Sequence, residues 1–153
     1  MKKLSVFVLL AALVLGLAGC GVSDGEPLKL CRVEITDLSG QREPVTLEGL
    51  SREELNGFLC AEDWGDGEAA APAGQAPAYR VEVYQDPTKT ATQLEDTQPL
   101  KILEYVTYEG TDVVKCVVGG EILPQEIVEE FLEHYTVAPR GFFDALEQAM
   151  AAE

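Results

Sequence analysis

His134 is the only histidine among the 153 residues, so any chemistry that needs an imidazole must use it. Nucleophilic catalysis would also require a nearby Ser or Cys and an orienting acid. Cys116 is the nearest fit to a nucleophile, and Glu130 precedes His134 by one helical turn. Nothing local shapes a nucleophile site around Cys116. The plainer reading of His134 is a histidine closing a helix, its positive form favoured by the helix dipole and by Glu130. A Cys116–His134 hydrolase is therefore the last of the functional readings. A second chemical feature is the run Glu62-Asp63-Trp64-Gly65-Asp66-Gly67-Glu68. Carboxylates among glycines can wrap Ca²⁺, which takes roughly six to eight oxygen ligands. The alternating D-x-D-x-D-G order is missing, however, and Trp64 stands where an oxygen ligand belongs. The run reads as a solvated acidic loop and a candidate binding loop through Glu62, Asp63, Trp64, Asp66 and Glu68. Trp64 is either tucked against the core or exposed as a contact residue.

Other chemistries are poorly served. Glu129, Glu130 and Glu133 are most simply the solvent face of a helix, and Gly119-Gly120 belong to no phosphate-binding pattern. No C-x-x-C pair accompanies the lone histidine, so no zinc site is expected. The chain carries 11 basic and 27 acidic residues, a net charge of −16. Such a balance speaks against nucleic acid as a partner, because phosphate binding needs Lys and Arg. It also argues against an electrostatic grip on anionic lipid headgroups.

The amino terminus carries the most specific signal. Lys2 and Lys3 precede a run from Leu4 to Leu17 that is apolar except for Ser5 and Gly16. That run has the length of a signal-peptide core and falls short of the roughly twenty residues that span a bilayer. Leu17-Ala18-Gly19-Cys20 follows and resembles the lipobox of bacterial lipoproteins. The resemblance implies a diacylglyceryl lipid on the Cys20 thiol and removal of residues 1–19. The remaining 134 residues would carry nine basic and 27 acidic side chains, a net −18. The two acyl chains give stable anchoring where one would be marginal. Residues 20–27 would form the lipidated cysteine and a tether whose Gly21–Pro27 part reaches at most about 25 Å. The expected location is the outer face of the cell membrane. No cofactor is implied beyond the lipid.

Cys31, Cys60 and Cys116 are left, an odd number that allows at most one disulfide. They read as small buried hydrophobes, with Cys31–Cys60 the preferred pair if a bridge forms. The positioning elements follow from periodicity. Leu28–Asp37, Tyr79–Tyr84, Leu100–Tyr108 and Asp112–Val118 alternate as strands, with a shorter extended piece at Val45–Leu47 and a weak one near Thr90–Leu94. Ser39-Gly40-Gln41 and Glu109-Gly110-Thr111 mark turns. Ser51 and Glu54 form a capping box, with Leu50 and Leu55 placed for a hydrophobic staple, ahead of a helix of two to three turns. Pro124 suits the start of a second helix whose apolar residues Ile127, Phe131 and Tyr135 recur every fourth position. A last helix begins near Arg140, with Phe142, Phe143, Leu146 and Met150 on one side.

Residues 61–78 are rich in Ala, Gly, Pro and acid. Residues 28–61 before them are too few to fold alone, so this is a long loop within one domain at 28–153. The pattern predicts an α+β fold: a mainly antiparallel sheet of four to five strands with two to three helices on one face. The functional expectation is a membrane-anchored, non-enzymatic binding or accessory domain for an envelope protein, acting through its sheet face or the Trp64 loop. The alternative is a divalent-cation or small-solute binding protein.

Overall fold

The computed structural model describes residues 30–65, 67–86, 99–118 and 133–152. The leader, Cys20, the tether, Asp66, the segment Thr90–Leu94 and the helix body from Pro124 to Leu132 lie outside those residues. The strands are β1 (Cys31–Asp37), β2 (Val45–Leu50), β3 (Pro77–Gln85), β4 (Leu100–Tyr108), β5 (Val113–Val118) and β6 (Glu133–Val137). The helices are α1 (Arg52–Leu59) and α2 (Arg140–Ala151). All six strands join one sheet in the order β2-β1-β3-β4-β5-β6, and every neighbouring pair is antiparallel. The α+β class holds, with six strands and two helices among the described residues against an expected four to five strands and two to three helices.

Alternation explains the layering. Val33, Ile35, Val81, Val83, Leu103, Tyr105, Val114, Cys116 and Val118 are buried on one face, because successive side chains of a strand point to opposite sides. On the other face Arg32 pairs with Glu34, Lys101 bridges Glu82 and Glu104, and Lys115 pairs with Glu133. The Arg32 guanidinium also lies 4.7 Å from the centre of the Tyr84 ring. One face is thus a core and the other a half-wet ladder of charge pairs, as antiparallel sheets permit.

Local chemistry sets the boundaries. Ser51 Oγ accepts from the Glu54 amide at 3.2 Å, and the Glu54 carboxylate accepts from the Ser51 amide at 2.8 Å. That reciprocal cap starts α1. In the first turn the Asp37 carboxylate accepts from the amides of Ser39, Gln41 and Arg42 and from the Ser39 hydroxyl. These bonds, the Ser39 hydroxyl foremost, hold the Asp37 carboxyl below its ordinary range. β2 runs three residues beyond the expected Val45–Leu47. Its pairing shifts between Val33↔Leu47 and Cys31↔Leu50, and Gly49 takes a φ of 68° there. A glycine bulge of this kind adds a residue without ending the strand.

The largest departure is at β6. The fourfold spacing through Tyr135 predicts a helix end, but residues 133–137 form a strand along β5. Tyr135-Thr136-Val137 are aromatic and β-branched, which suits a pleated surface. They also satisfy backbone groups on β5 that would otherwise stand open. Glu133 is therefore an ion-pair partner of Lys115 rather than part of a helix face.

Both helices cover the core face. Phe142 is fully buried, with its ring centroid 5.7 Å from Tyr105 on β4 and 6.5 Å from Phe58 on α1. The helices meet closely at Gly141, where an added Cβ would stand 2.8 Å from Cys60 Sγ. Cys60 closes α1 in a left-handed conformation, φ 50°, so it is poorly placed to yield. Gly141→Ala is expected to lower stability by about 1–3 kcal/mol in urea unfolding. Cys60→Ala in the same chain should recover most of that loss.

Candidate functional site

Three places could carry function, and each has a different outcome. The first is the corner where β5 meets β6. Cys116 and His134 are direct partners across the two strands, so their side chains leave the same face of the sheet. This corrects the reading of His134 as a helix-terminal residue. No helix dipole supports its charge, and burial pushes its pKa down while Glu68 opposes the shift.

The thiol is equally unlike a nucleophile. Burial pushes the Cys116 pKa up to about 12, although a hydrogen bond with Tyr105, its partner on β4, works the other way. Tyr105 is raised as well, by burial first and by Cys116 second. A reactive cysteine needs the thiolate and hence a lowered pKa. The corner holds a neutral thiol beside a histidine that favours its neutral form. The sheet brings together the two residues that the sequence singled out, but in protonation states that suit packing.

Cys31 and Cys60 are free too. The Cys31–Cys60 disulfide does not form: Cys31 is buried on β1, and Cys60 sits at the end of α1 against Gly141. Burial raises both thiols.

The second place is the acidic loop, which the structure takes apart. Trp64 turns inward, stacks on Tyr105 at 5.1 Å and lies 5.5 Å from Phe142. Its Nε1 donates to the Leu59 carbonyl at 2.6 Å, which satisfies the one polar atom of the ring. Between the two expectations for Trp64, the anchor is the one observed. Glu62 and Asp63 stay exposed in the turn after α1. Glu68 lies along β6 instead, where its backbone bridges Thr136. The Ala69 amide donates to the Tyr135 carbonyl at 2.9 Å, and Thr136 Oγ1 donates to the Gly67 carbonyl at 3.1 Å. Residues 67–69 thus cover part of the outer edge of β6. Among the described residues no three His, Cys, Asp or Glu side chains are gathered as a metal would require.

The third place was not legible as a site. A shallow groove of about 620 Å³ lies between the β4–β5 turn and α2. Glu109, Asp112 and Glu147 rim it, and Tyr79 and Phe143 are half-buried in its wall. The turn is held from two sides: the Glu109 amide donates to the Ala76 carbonyl at 2.9 Å, and the Asp112 carbonyl accepts from Ala138 at 2.8 Å. Gly110, at φ 68°, makes the reversal possible. The Tyr79 amide donates to Thr107 Oγ1 at 3.0 Å beneath it. In sequence, Glu109-Gly110-Thr111 signals only a hairpin connection. Glu147 reaches it solely because α2 packs there.

The chain matches no protein-family model, no curated protein and no solved structure.

Two measurements check this description. Trp64→Ala should cost roughly 3 kcal/mol of stability and make residues 61–69 the first point of proteolytic cleavage. An unchanged melt would show that the ring is not an anchor. The His134 pKa is lower in the folded than in the unfolded chain, so its neutral form stabilises the fold. That contribution is complete above the unfolded value of about 6.5 and declines as pH falls through it. Urea unfolding from about pH 7.5 down to about pH 5 should therefore show a loss of stability that His134→Asn removes.

Proposed function

We propose that this protein is a non-enzymatic accessory domain, anchored by lipid to the outer face of a bacterial cell membrane and directed at a protein partner in the envelope. The observation that carries the reading is the segment Leu17-Ala18-Gly19-Cys20, placed after Lys2, Lys3 and the apolar run that ends at Leu17. A signal peptidase of the lipoprotein type would cut before Cys20, and the thioether-linked diacylglyceryl group would hold the chain at the bilayer.

The chemistry of the described residues supports the non-enzymatic part. The one Cys–His pair has a thiol raised by burial and a histidine lowered by burial, the opposite of an activated couple. The committed position of Trp64 favours other surfaces for partner contact. Another surface is the outer face of the sheet. It presents half-buried Val106, Val117, Tyr108 and Tyr135 beside its ion pairs, with Val137 exposed at 45%.

Expression in a bacterial host tests the anchor. The expected result is a membrane-associated protein whose first residue is Cys20, with the mass of a diacylglyceryl adduct on its amino-terminal peptide. Cys20→Ala should keep residues 1–19 and carry no lipid. Recovery of the wild-type chain with an unmodified Cys20 would sink the reading.

A further inference from the structure

We propose that residues 67–69 form a strap that closes the β6 edge of the sheet against a second copy of this chain, and that release of the strap lets two copies pair antiparallel through β6. The inference stands apart from the accessory reading and needs no partner protein.

The two edges of the sheet are guarded by different means. The strand order puts β2 at one edge and β6 at the other. An antiparallel strand turns the backbone groups of alternate residues to opposite neighbours. The Leu38 amide donates to the Ala78 carbonyl and the Asp86 amide to the Leu30 carbonyl, so the even-numbered residues of β1 bond to β3 and the odd-numbered ones to β2. Val45 and Leu47, opposite Ile35 and Val33, therefore face β1, and Pro44, Thr46 and Glu48 turn outward. Pro44 has no N–H to offer, and the Gly49 bulge shifts the register just past Glu48. An edge flanked by a proline and a bulge is a poor template for a further strand.

β6 has neither device. The Ala138 amide donates to the Asp112 carbonyl, which directs His134 and Thr136 to β5 and turns Glu133, Tyr135 and Val137 outward. No proline or bulge interrupts Glu133–Val137, and its aromatic and β-branched residues favour pairing. The strap lies along this edge instead. The Ala69 amide donates to the outward Tyr135 carbonyl at 2.9 Å, Thr136 Oγ1 donates to the Gly67 carbonyl at 3.1 Å, and Glu68 bridges Thr136 in the antiparallel sense. A segment of the chain thus already uses the edge as a strand would, but over a single bridge. Bonds so few have a modest net worth, and a strap held by them opens without unfolding the sheet.

A second copy fits the opened edge. Two β6 strands related by a twofold axis at Tyr135 set Tyr135 opposite its counterpart and Glu133 opposite Val137. All the outward residues then meet as hydrogen-bonded pairs, with about six bonds between the copies. No two carboxylates stand opposite each other in this register, and Glu133 is already paired with Lys115 at 2.9 Å. Val137, exposed at 45%, gains cover. The net charge of −16 opposes the approach of two copies, so the pairing strengthens as salt screens it.

The test uses the full chain in neutral detergent micelles, with the protein mass read by sedimentation equilibrium in density-matched solvent. The wild-type chain is expected to remain a single copy. Ala69→Pro with Thr136→Val removes both strap donors and should give a concentration-dependent dimer, at least about tenfold tighter than any wild-type association. Thr136→Val alone removes only the hydroxyl, leaves the backbone of the strap unaltered, and should give a weaker dimer of the same kind. Val137→Pro added to the strap-free pair deletes an outward N–H and no bond to β5, and should return the chain to a single copy. Thr46→Pro at the β2 edge should leave the dimer intact. Amide exchange at Tyr135 and Val137 should slow as the dimer forms. Thermal melts confirm that each variant folds.

A folded strap-free chain that stays single at every concentration would overturn the proposal. So would a dimer that survives Val137→Pro, a dimer that Thr46→Pro abolishes, or a wild-type chain that already pairs through β6.

Discussion

The fold depends on the ring of Phe142. It is fully buried and within 6.5 Å, centroid to centroid, of the rings of Phe58, Trp64, Tyr105 and Phe143. Those rings come from α1, the loop after it, β4 and α2. An antiparallel sheet with one apolar face must bury that face against something. Here two short helices and one tryptophan do so around a single side chain. Close packing at this point fixes the remaining geometry, because a packed core has few alternative arrangements of similar energy.

Three consequences follow from that contact. Trp64 is drawn into the core, and residues 67–69 follow the edge of β6. The paired backbone of Gly67–Ala69 then covers part of an edge that would otherwise invite other strands. α2 is held beside the β4–β5 turn, and only this brings Glu147 to Glu109 and Asp112. The core face also decides the chemistry of the β5–β6 corner. A thiol that lies against Tyr105 inside an apolar layer holds its proton, and a histidine there resists gaining one. Proximity of Cys116 and His134 is thus a by-product of strand pairing, and burial works against reactivity.

Much of the architecture was legible because local rules and tertiary packing agree. The β-branched and aromatic run Leu100–Tyr108 gives β4 its observed limits, while packing decides that Leu103 and Tyr105 are buried rather than Ile102, Val106 and Tyr108. The capping box at Ser51 and Glu54 is fully formed, since its donors and acceptors lie within one turn and need no help from elsewhere. α2 begins at Arg140 as its apolar spacing requires. Where two periodicities overlap, local rules gave the wrong answer. Tyr135 fits both a fourfold helical stripe and an alternating strand, and the open hydrogen-bonding edge of β5 decided between them. Trp64 was ambiguous for a similar reason: an amphipathic ring in an acidic loop is compatible with burial or exposure until a partner for its N–H is known.

The sequence by itself determined the lipobox-like segment, the acidic balance, the faces of β1, β3 and β5, and the cap of α1. Each of these is written in residues that are neighbours along the chain or repeat with a short period. Tertiary structure alone decided that residues 133–137 form a strand, that Cys31 and Cys60 are free thiols, that Trp64 is an anchor, and that Glu147 stands beside Glu109 and Asp112. Those outcomes depend on which surfaces meet, and that is set by the packing of the whole apolar face around Phe142 rather than by any local pattern.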